Sequence, residues 1–300
     1  MRVVVALGGN ALLRRGEPPD VDTQRRNVEV AAAAVAGIAS HHRVVVTHGN
    51  GPQVGLLALQ SEAYREVSAY PLDVLGAESE GMVGYLLEQA LQSWLPEREV
   101  ATLLTQVVVA HDDPAFGAPT KPVGPVYDES EARRLASERG FAIAPDGPGF
   151  RRVVPSPEPL HIVELSTIRL LVEAGVLVIC AGGGGIPVVE DSRGALHGVE
   201  GVIDKDLSAC LLARLLHVDV LLLLTDVPGV VRGLGTPAGE VIRRASPSEL
   251  RMLRLPAGSM GPKAEAACRF VEATGGTAAI GSLEDASAIL RGEAGTIVSR

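Results

Sequence analysis

The stretch VVVALGGNAL (residues 3–12) opens with apolar residues at consecutive positions and closes on a glycine pair and an asparagine. A strand with one wet face alternates polar and apolar; this one does not. It reads as a strand buried on both faces, as in a parallel sheet covered by helices. Three further segments share the form: VVVTHGNGPQVG (44–55), VLVICAGGGGIPV (176–188) and VDVLLLLTDVPGV (218–230). Helical patterns separate them, over Val21–Ser40, Asp73–Trp94, Ile162–Ala174, Asp204–Leu216 and Pro262–Thr274. Strand alternating with helix predicts an α/β fold, a three-layer sandwich around a central, mostly parallel sheet. Ligands of such folds bind beyond the carboxyl ends of the strands, where the four glycine-bearing loops would gather.

One section breaks this rhythm. From His111 to Pro159 the chain carries nine of its twenty prolines, in runs such as PTKPVGP and PSPEP that disfavour helix and central strand. Hydrophobic residues persist there (Val123, Val126, Tyr127, Phe141, Ile143, Val153 and Val154), so a small inserted subdomain or lid is expected over residues 112–157 of a single domain spanning 1–300.

The bulk properties narrow the function. Aromatic residues make up only 3% of the chain against 46% hydrophobic residues, which implies an aliphatic core. A net charge of −9 argues against a nucleic-acid binder. The apolar start MRVVVALGG is soon broken by glycines, and the run around VDVLLLLTDV is too short to cross a bilayer, so a soluble cytoplasmic protein without membrane contact is expected. Three widely spaced cysteines, Cys180, Cys210 and Cys268, each in an apolar segment, read as buried thiols. The histidines show no metal-ligand spacing, and no protein-held metal site is expected.

The cations are more informative. Of 27 basic residues, 24 are arginine; the lysines are Lys121, Lys205 and Lys263. Asp204 reads as an N-cap, placing Lys205 and Asp206 in the first turn of the next helix. Lys263 follows Pro262, a residue suited to a helix start. A cation at a helix N-terminus is disfavoured by roughly 0.3–1 kcal/mol, and an anion bound there would remove the conflict. Lysine is a compact point charge able to follow a moving phosphoryl group, whereas arginine is a rigid fork. Glycine loops at LGGN, HGNG and GGGG can aim several N–H groups at one anion. Neither of the first two has P-loop or dinucleotide spacing. Together these features imply phosphoryl transfer, with glycine loops holding anions and lysines neutralising the transferred group.

The motifs ALGGNAL, THGNGPQVG, DPAFGAPTKPVGPVY, RRVVPSPEP, AGGGGIPV, VIDKDLSA and GSMGPKAEAA run the length of the chain. With them the sequence resembles the amino acid kinase family, in its carbamate kinase branch. The resemblance implies reversible phosphoryl transfer between ATP and carbamate, with Mg²⁺ on the nucleotide phosphates of ATP or ADP, and a homodimer. It implies that Gly8, Gly9, Asn10, Gly49, Asn50 and Gly51 surround the carbamate and transferred phosphoryl in the N-terminal part. It implies that the part from about residue 176 to 300 binds the nucleotide through Gly183, Gly184, Asp226, Gly258, Ser259 and Met260, together with Lys205, Asp206 and Lys263. Lys205, Asp206 and Lys263 would be catalytic, joined by Lys121 from the lid; relatives such as acetylglutamate kinase carry a lysine where this chain has Ala6. After its fifth strand the branch usually has Val-Asp-Lys-Val or similar, where this chain has Val227-Pro228-Gly229-Val230. Carbamate is already an anion, so no general base is required; His48 reads as structural or as a minor substrate contact. The alternatives are a related kinase acting on another small acid, and a non-catalytic nucleotide-binding protein on the same fold.

Overall fold

The computed structural model describes the chain apart from residues 14, 15, 65, 67, 234–238 and 257 and the side chains of Asn10 and Ala11. The four apolar runs all become strands of one eight-stranded sheet. It contains β1 (Arg2–Leu7), β2 (Arg43–His48), β3 (Val100–Thr102), β9 (Leu177–Ile179), β12 (Val220–Thr225), β15 (Arg244–Ala245), β16 (Thr277–Ser282) and β17 (Thr296–Val298). Their order is β15-β17-β16-β12-β1-β2-β9-β3, and every pair is parallel except β16 with β17. In β1 the residues divide between two cores. Val4 and Ala6 pack in a core shared with Ile168, Leu212 and Phe270. Val3, Val5 and Leu7 pack with Val28, Val35, Leu87 and Leu91. This division is why the strand reads as an unbroken apolar run.

The first core is covered by α6 (Leu165–Glu173), α7 (Lys205–Leu215), α8 (Pro247–Met252) and α9 (Met260–Thr274), the second by α2 (Val21–Ala39), α4 (Leu72–Trp94) and α10 (Ala286–Leu290). Helix, sheet and helix form the expected three layers. Two helix starts differ from expectation. α9 begins at Met260, before Pro262, and α6 begins at Leu165 because His161–Ile162 forms strand β8 instead. That strand belongs to a four-stranded sheet with β4 (Gln106–Val108), β10 (Ile186–Glu190) and β11 (Leu196–Gly198). β13 (Val231–Arg232) pairs antiparallel with β14 (Glu240–Val241).

Within the proline-rich section, β5 (Lys121–Tyr127), β7 (Gly149–Val154) and β6 (Ala142–Asp146) form a three-stranded antiparallel sheet in that order. Pro122 and Pro125 are accommodated because β5 is an edge strand. The proline-free interval between Pro125 and Pro145 supplies α5 (Glu129–Arg139), capped by Asp128, whose Oδ1 accepts the N–H of Glu131 at 2.9 Å. Val123 and Val154 pack with Val54, Leu72 and Leu75 of the main body.

Strand β5 also lies against α3 (Gly51–Ala63). A Cβ at Gly55 would lie 2.5 Å from Gly124 Cα and 2.7 Å from its nitrogen, so only glycine allows this approach. Gly55→Ala is therefore expected to destabilise the protein by about 1–3 kcal/mol through overpacking against backbone. At Gly124 an added Cβ meets nothing within 4 Å, but φ is +74°; Gly124→Ala is expected to cost about 1–2 kcal/mol, from backbone strain alone. Urea unfolding of both variants checks the pair, with the Gly55 variant alone expected to displace β5 from α3.

Candidate active site

Because β1, β2, β9 and β12 are parallel neighbours, they end along one edge. Leu7 is in register with both His48 and Leu224, and Val46 with Val178's neighbour Ile179. Each strand therefore releases its glycine loop at the same edge. Gly8 donates its N–H to Leu224 O at 2.9 Å, and Gly49 donates to Leu7 O at 3.0 Å. The loops then touch: a Cβ at Gly49 would lie 2.8 Å from Gly9 N and 3.3 Å from Lys205 Cδ. Gly9 begins the short helix α1 (Gly9–Leu12) and Gly51 begins α3, so both glycines present N–H groups of first turns, which have no intrahelical acceptor.

The glycine run 182–185 has a different cause from the other loops. Its φ angles are +67° at Gly183 and +101° at Gly184, conformations that disfavour a side chain. The space is also filled: a Cβ at Gly182 would reach His48 at 2.4 Å, and one at Gly183 would reach Asn50 Nδ2 at 2.1 Å. At Gly184 it would meet Ile203 O at 2.6 Å, and at Gly185 Val107 Cγ2 at 2.3 Å. The run is a thin floor pressed beneath the residues that follow β2.

Above that floor the lysines converge. Asp204 caps α7, its Oδ1 accepting from Asp206 N at 2.9 Å and Leu207 N at 3.3 Å. Its other oxygen accepts from Lys121 Nζ of β5 at 2.6 Å. Asp206 is bonded on both oxygens, to Lys205 Nζ at 2.6 Å and to Lys263 Nζ at 3.1 Å. Lys205 is the first residue of α7 and Lys263 the fourth of α9, so both stand in first turns as read from the sequence. The side chains of Lys205 and Lys263 are each 12% exposed and that of Asp206 is 4% exposed.

Burial and charge compete in this triad. Burial lowers the Lys205 ammonium to about pH 8, with Lys263 adding to the effect and Asp206 opposing it. Burial also acts to lower Lys263, but Asp206 outweighs it and leaves that lysine raised. Burial pushes the Asp206 carboxyl up, and the two lysines more than reverse this, holding it well below the usual carboxylate range. Two ammonium groups against one carboxylate leave one net positive charge at paired helix N-termini, a place made for an anion.

The other sequence-derived residues lie around this centre. Asp226 follows β12 on the surface, and its Oδ1 accepts from Thr225 Oγ1 at 3.1 Å. Gly258 and Ser259 are exposed at the start of α9, with Met260 partly buried behind them. Asn50 is buried, and its Nδ2 donates to Ser79 Oγ at 2.7 Å. The Asn10 backbone lies in α1; its side chain is outside the described residues. His48 is buried beside Lys205, and burial lowers it to about pH 4, so it is neutral at physiological pH.

Sequence reasoning missed Ser79 and Glu80 of α4. Glu80 is 1% exposed and accepts from Gly182 N at 2.7 Å and Thr105 N at 3.2 Å. The signal was present: both fall within the helix's buried stripe of Leu72, Leu75, Val83, Leu86 and Leu87, where polar residues need a reason.

No group of three or more His, Cys, Asp or Glu side chains placed to hold a metal occurs among the described residues. Both Asp206 oxygens are engaged by ammonium groups. Among the described residues no helix is long and apolar enough to cross a membrane, and Cys180, Cys210 and Cys268 are free and buried.

A model of the amino acid kinase family matches residues 1–282. The chain belongs to the amino acid kinase family. Carbamate kinases are among its full-length relatives. That of Rhizobium meliloti (strain 1021) is 57% identical over 303 residues, covering 100% of this chain and 93% of the relative. That of Haemophilus influenzae is 52% identical, covering 100% and 97%. Among solved structures, carbamate kinase from Giardia lamblia bound to AMP-PNP is 44% identical, covers 99% of this chain and 98% of its own, and superposes with a TM-score of 0.90.

Asp206→Asn leaves two buried ammonium groups facing each other. It is expected to destabilise the fold by about 3–5 kcal/mol. Adding Lys205→Met removes the repulsion and should restore part of that loss; urea unfolding of the single and double variants measures the coupling.

Proposed function

We propose that this protein is a carbamate kinase, catalysing ATP + carbamate = ADP + carbamoyl phosphate in either direction. The observation that carries the reading is the Asp206 carboxylate holding two lysines at two helix starts, beside the touching loops at Gly9 and Gly49. The carbamate kinase relatives and the AMP-PNP complex of the Giardia enzyme support it.

In this reading Gly8, Gly9, Asn10, Gly49, Asn50 and Gly51 bind carbamate and the transferred phosphoryl group. The α9 start (Gly258, Ser259 and Met260), Asp226 and the floor at Gly183 and Gly184 serve the nucleotide. Lys205 and Lys263 neutralise charge on the phosphoryl oxygens as the bond to one acceptor oxygen forms and the other breaks. Lys121, carried by the 121–154 sheet acting as a lid, exchanges Asp204 for the substrate. Magnesium, when bound with the nucleotide, supplies further neutralisation of its phosphates. No proton has to be removed from carbamate, which agrees with a neutral, buried His48 as the only histidine at the loops. A homodimer in the cytoplasm completes the proposal.

Coupled formation of ATP from ADP and carbamoyl phosphate tests the assignment; turnover on N-acetylglutamate with none on carbamoyl phosphate would overturn it. Lys205→Arg and Lys263→Arg are each expected to lower kcat by about 10²-fold or more, because the planar fork cannot occupy the point-charge position. The free protein should lose kcat/KM above about pH 8 as Lys205 gives up its proton. Bound phosphate holds that proton on, so the corresponding limb in kcat should lie at higher pH.

A further inference from the structure

Glu80 is a carboxyl group buried in the interior of a helix, without a cation as hydrogen-bonding partner. Its Oε1 takes the N–H of Gly182 at 2.7 Å and its Oε2 that of Thr105 at 3.2 Å, while Thr105 Oγ1 accepts from Ala181 N at 2.9 Å. The 181–182 segment is thus held from behind by α4 and the residues preceding β4. His48 also borders Gly182. Its Nδ1 lies 3.1 Å from Gly49 O, a carbonyl, so Nδ1 carries the ring proton and Nε2 is left as an acceptor. That Nε2 is fully buried and has no hydrogen-bond partner among the described residues.

Both side chains border one point. A Cβ on Gly182 would lie 2.4 Å from His48 Nε2 and 2.9 Å from Glu80 Cγ. One side chain there needs a donor, and the other is a carboxyl that burial favours in its protonated form. We propose that Glu80 is a positioning residue that stays protonated and donates a hydrogen bond toward His48 Nε2 through one bridging water, and so ties the glycine floor at 182–184 to the loop at Gly49–Gly51. The chain runs Thr105 and Gly182 to Glu80, to His48, to Gly49 O. It fixes the Gly49 carbonyl on the histidine and leaves the following N–H groups for the anion.

The charges around the pair agree with this assignment. Burial is the largest influence on Glu80 and raises it to about pH 8; the Gly182 and Thr105 N–H groups oppose it, and Glu164 of the α6 start adds to it. Cys180, at the end of β9, is itself pushed up by burial and by Glu80 and Glu164. Burial keeps His48 neutral, and Lys205 adds to the effect. A carboxyl raised in the folded state stabilises the fold fully below its unfolded value near 4.5, and that contribution is lost as pH rises toward about 8.

The experiment is a ¹³C NMR titration of the carboxyl in selectively labelled protein, assigned with Glu80→Gln, together with urea unfolding from pH 5 to 8. Neither readout depends on the proposed reaction. The expected result is a carboxyl titrating near pH 8 and a stability advantage of wild type over Glu80→Gln that shrinks across that range. A carboxyl already ionised at pH 7 overturns the proposal. Carbamoyl phosphate turnover supplies the functional arm: Glu80→Leu should lower kcat about tenfold or more, since loop misplacement is costly. Glu80→Gln, which restores a donor to Nε2 and an acceptor for Gly182, should recover most of it. Equal kcat in the two variants overturns the positioning role, whereas absence of turnover in the wild type bears only on the reaction assigned above.

Discussion

The site depends on one carboxylate shared by two ammonium groups. Asp206 and Lys205 are neighbours in sequence, but Lys263 lies 57 positions away and has to be delivered by the fold. The parallel sheet does this. A helix that leads into a parallel strand runs antiparallel to it and starts at the edge where the strands end. α7 leads to β12 and α9 to β16, and these strands are adjacent. Their helices pack side by side with both N-termini at that edge. The same geometry sets the loops after β1 and β2 at the same edge, since those loops leave strands rather than enter them. The convergence of Gly9, Gly49, Lys205 and Lys263 is thus a property of strand order, realised by aliphatic residues that never touch the site.

The arrangement is held in tension. Burial disfavours every charge in the triad; the ion pairs outweigh it at Asp206 and Lys263 but not at Lys205, whose weakened hold on its proton records the difference. Lys121 is in a different situation. Its partner Asp204 already caps a helix, and the pair is more open, with 31% of the lysine side chain exposed. The two inner lysines are fixed by burial, whereas the outer one is fixed mainly by one ion pair and by the docking of the sheet that carries it.

Much of this was legible in the chain. Continuous apolar runs gave the doubly covered sheet, and the scarcity of lysine pointed to Lys121, Lys205 and Lys263 because 24 arginines made each lysine an exception. Asp204 was recognisable as a cap because it precedes an apolar stripe; its second bond, to Lys121, crosses 83 residues and has no local signature. Glycines 182–185 looked like a ligand loop, yet each is required by a neighbour that only the fold supplies: His48, Asn50, Ile203 and Val107. Ser79 and Glu80 were hidden for the converse reason. A helix pattern averages over its residues, and two polar side chains barely disturb a 23-residue stripe. Their partners, Asn50 and Gly182, lie in loops whose position no periodicity encodes.

The preference for lysine follows from the same geometry. A carboxylate has two oxygens, and a guanidinium presents a planar fork that tends to engage both. An arginine at 205 or 263 would occupy Asp206 bidentately and displace the other cation, which has no second carboxylate within the triad. Ammonium groups are point donors, so each can take one oxygen and keep two N–H directions for an anion. The Lys205 side chain passes close to Gly49, where an added carbon on that glycine would lie 3.3 Å from Lys205 Cδ. A protein that uses arginine nearly everywhere else retains lysine where two positive charges must share one acid and still leave hydrogen-bonding capacity facing the same small volume.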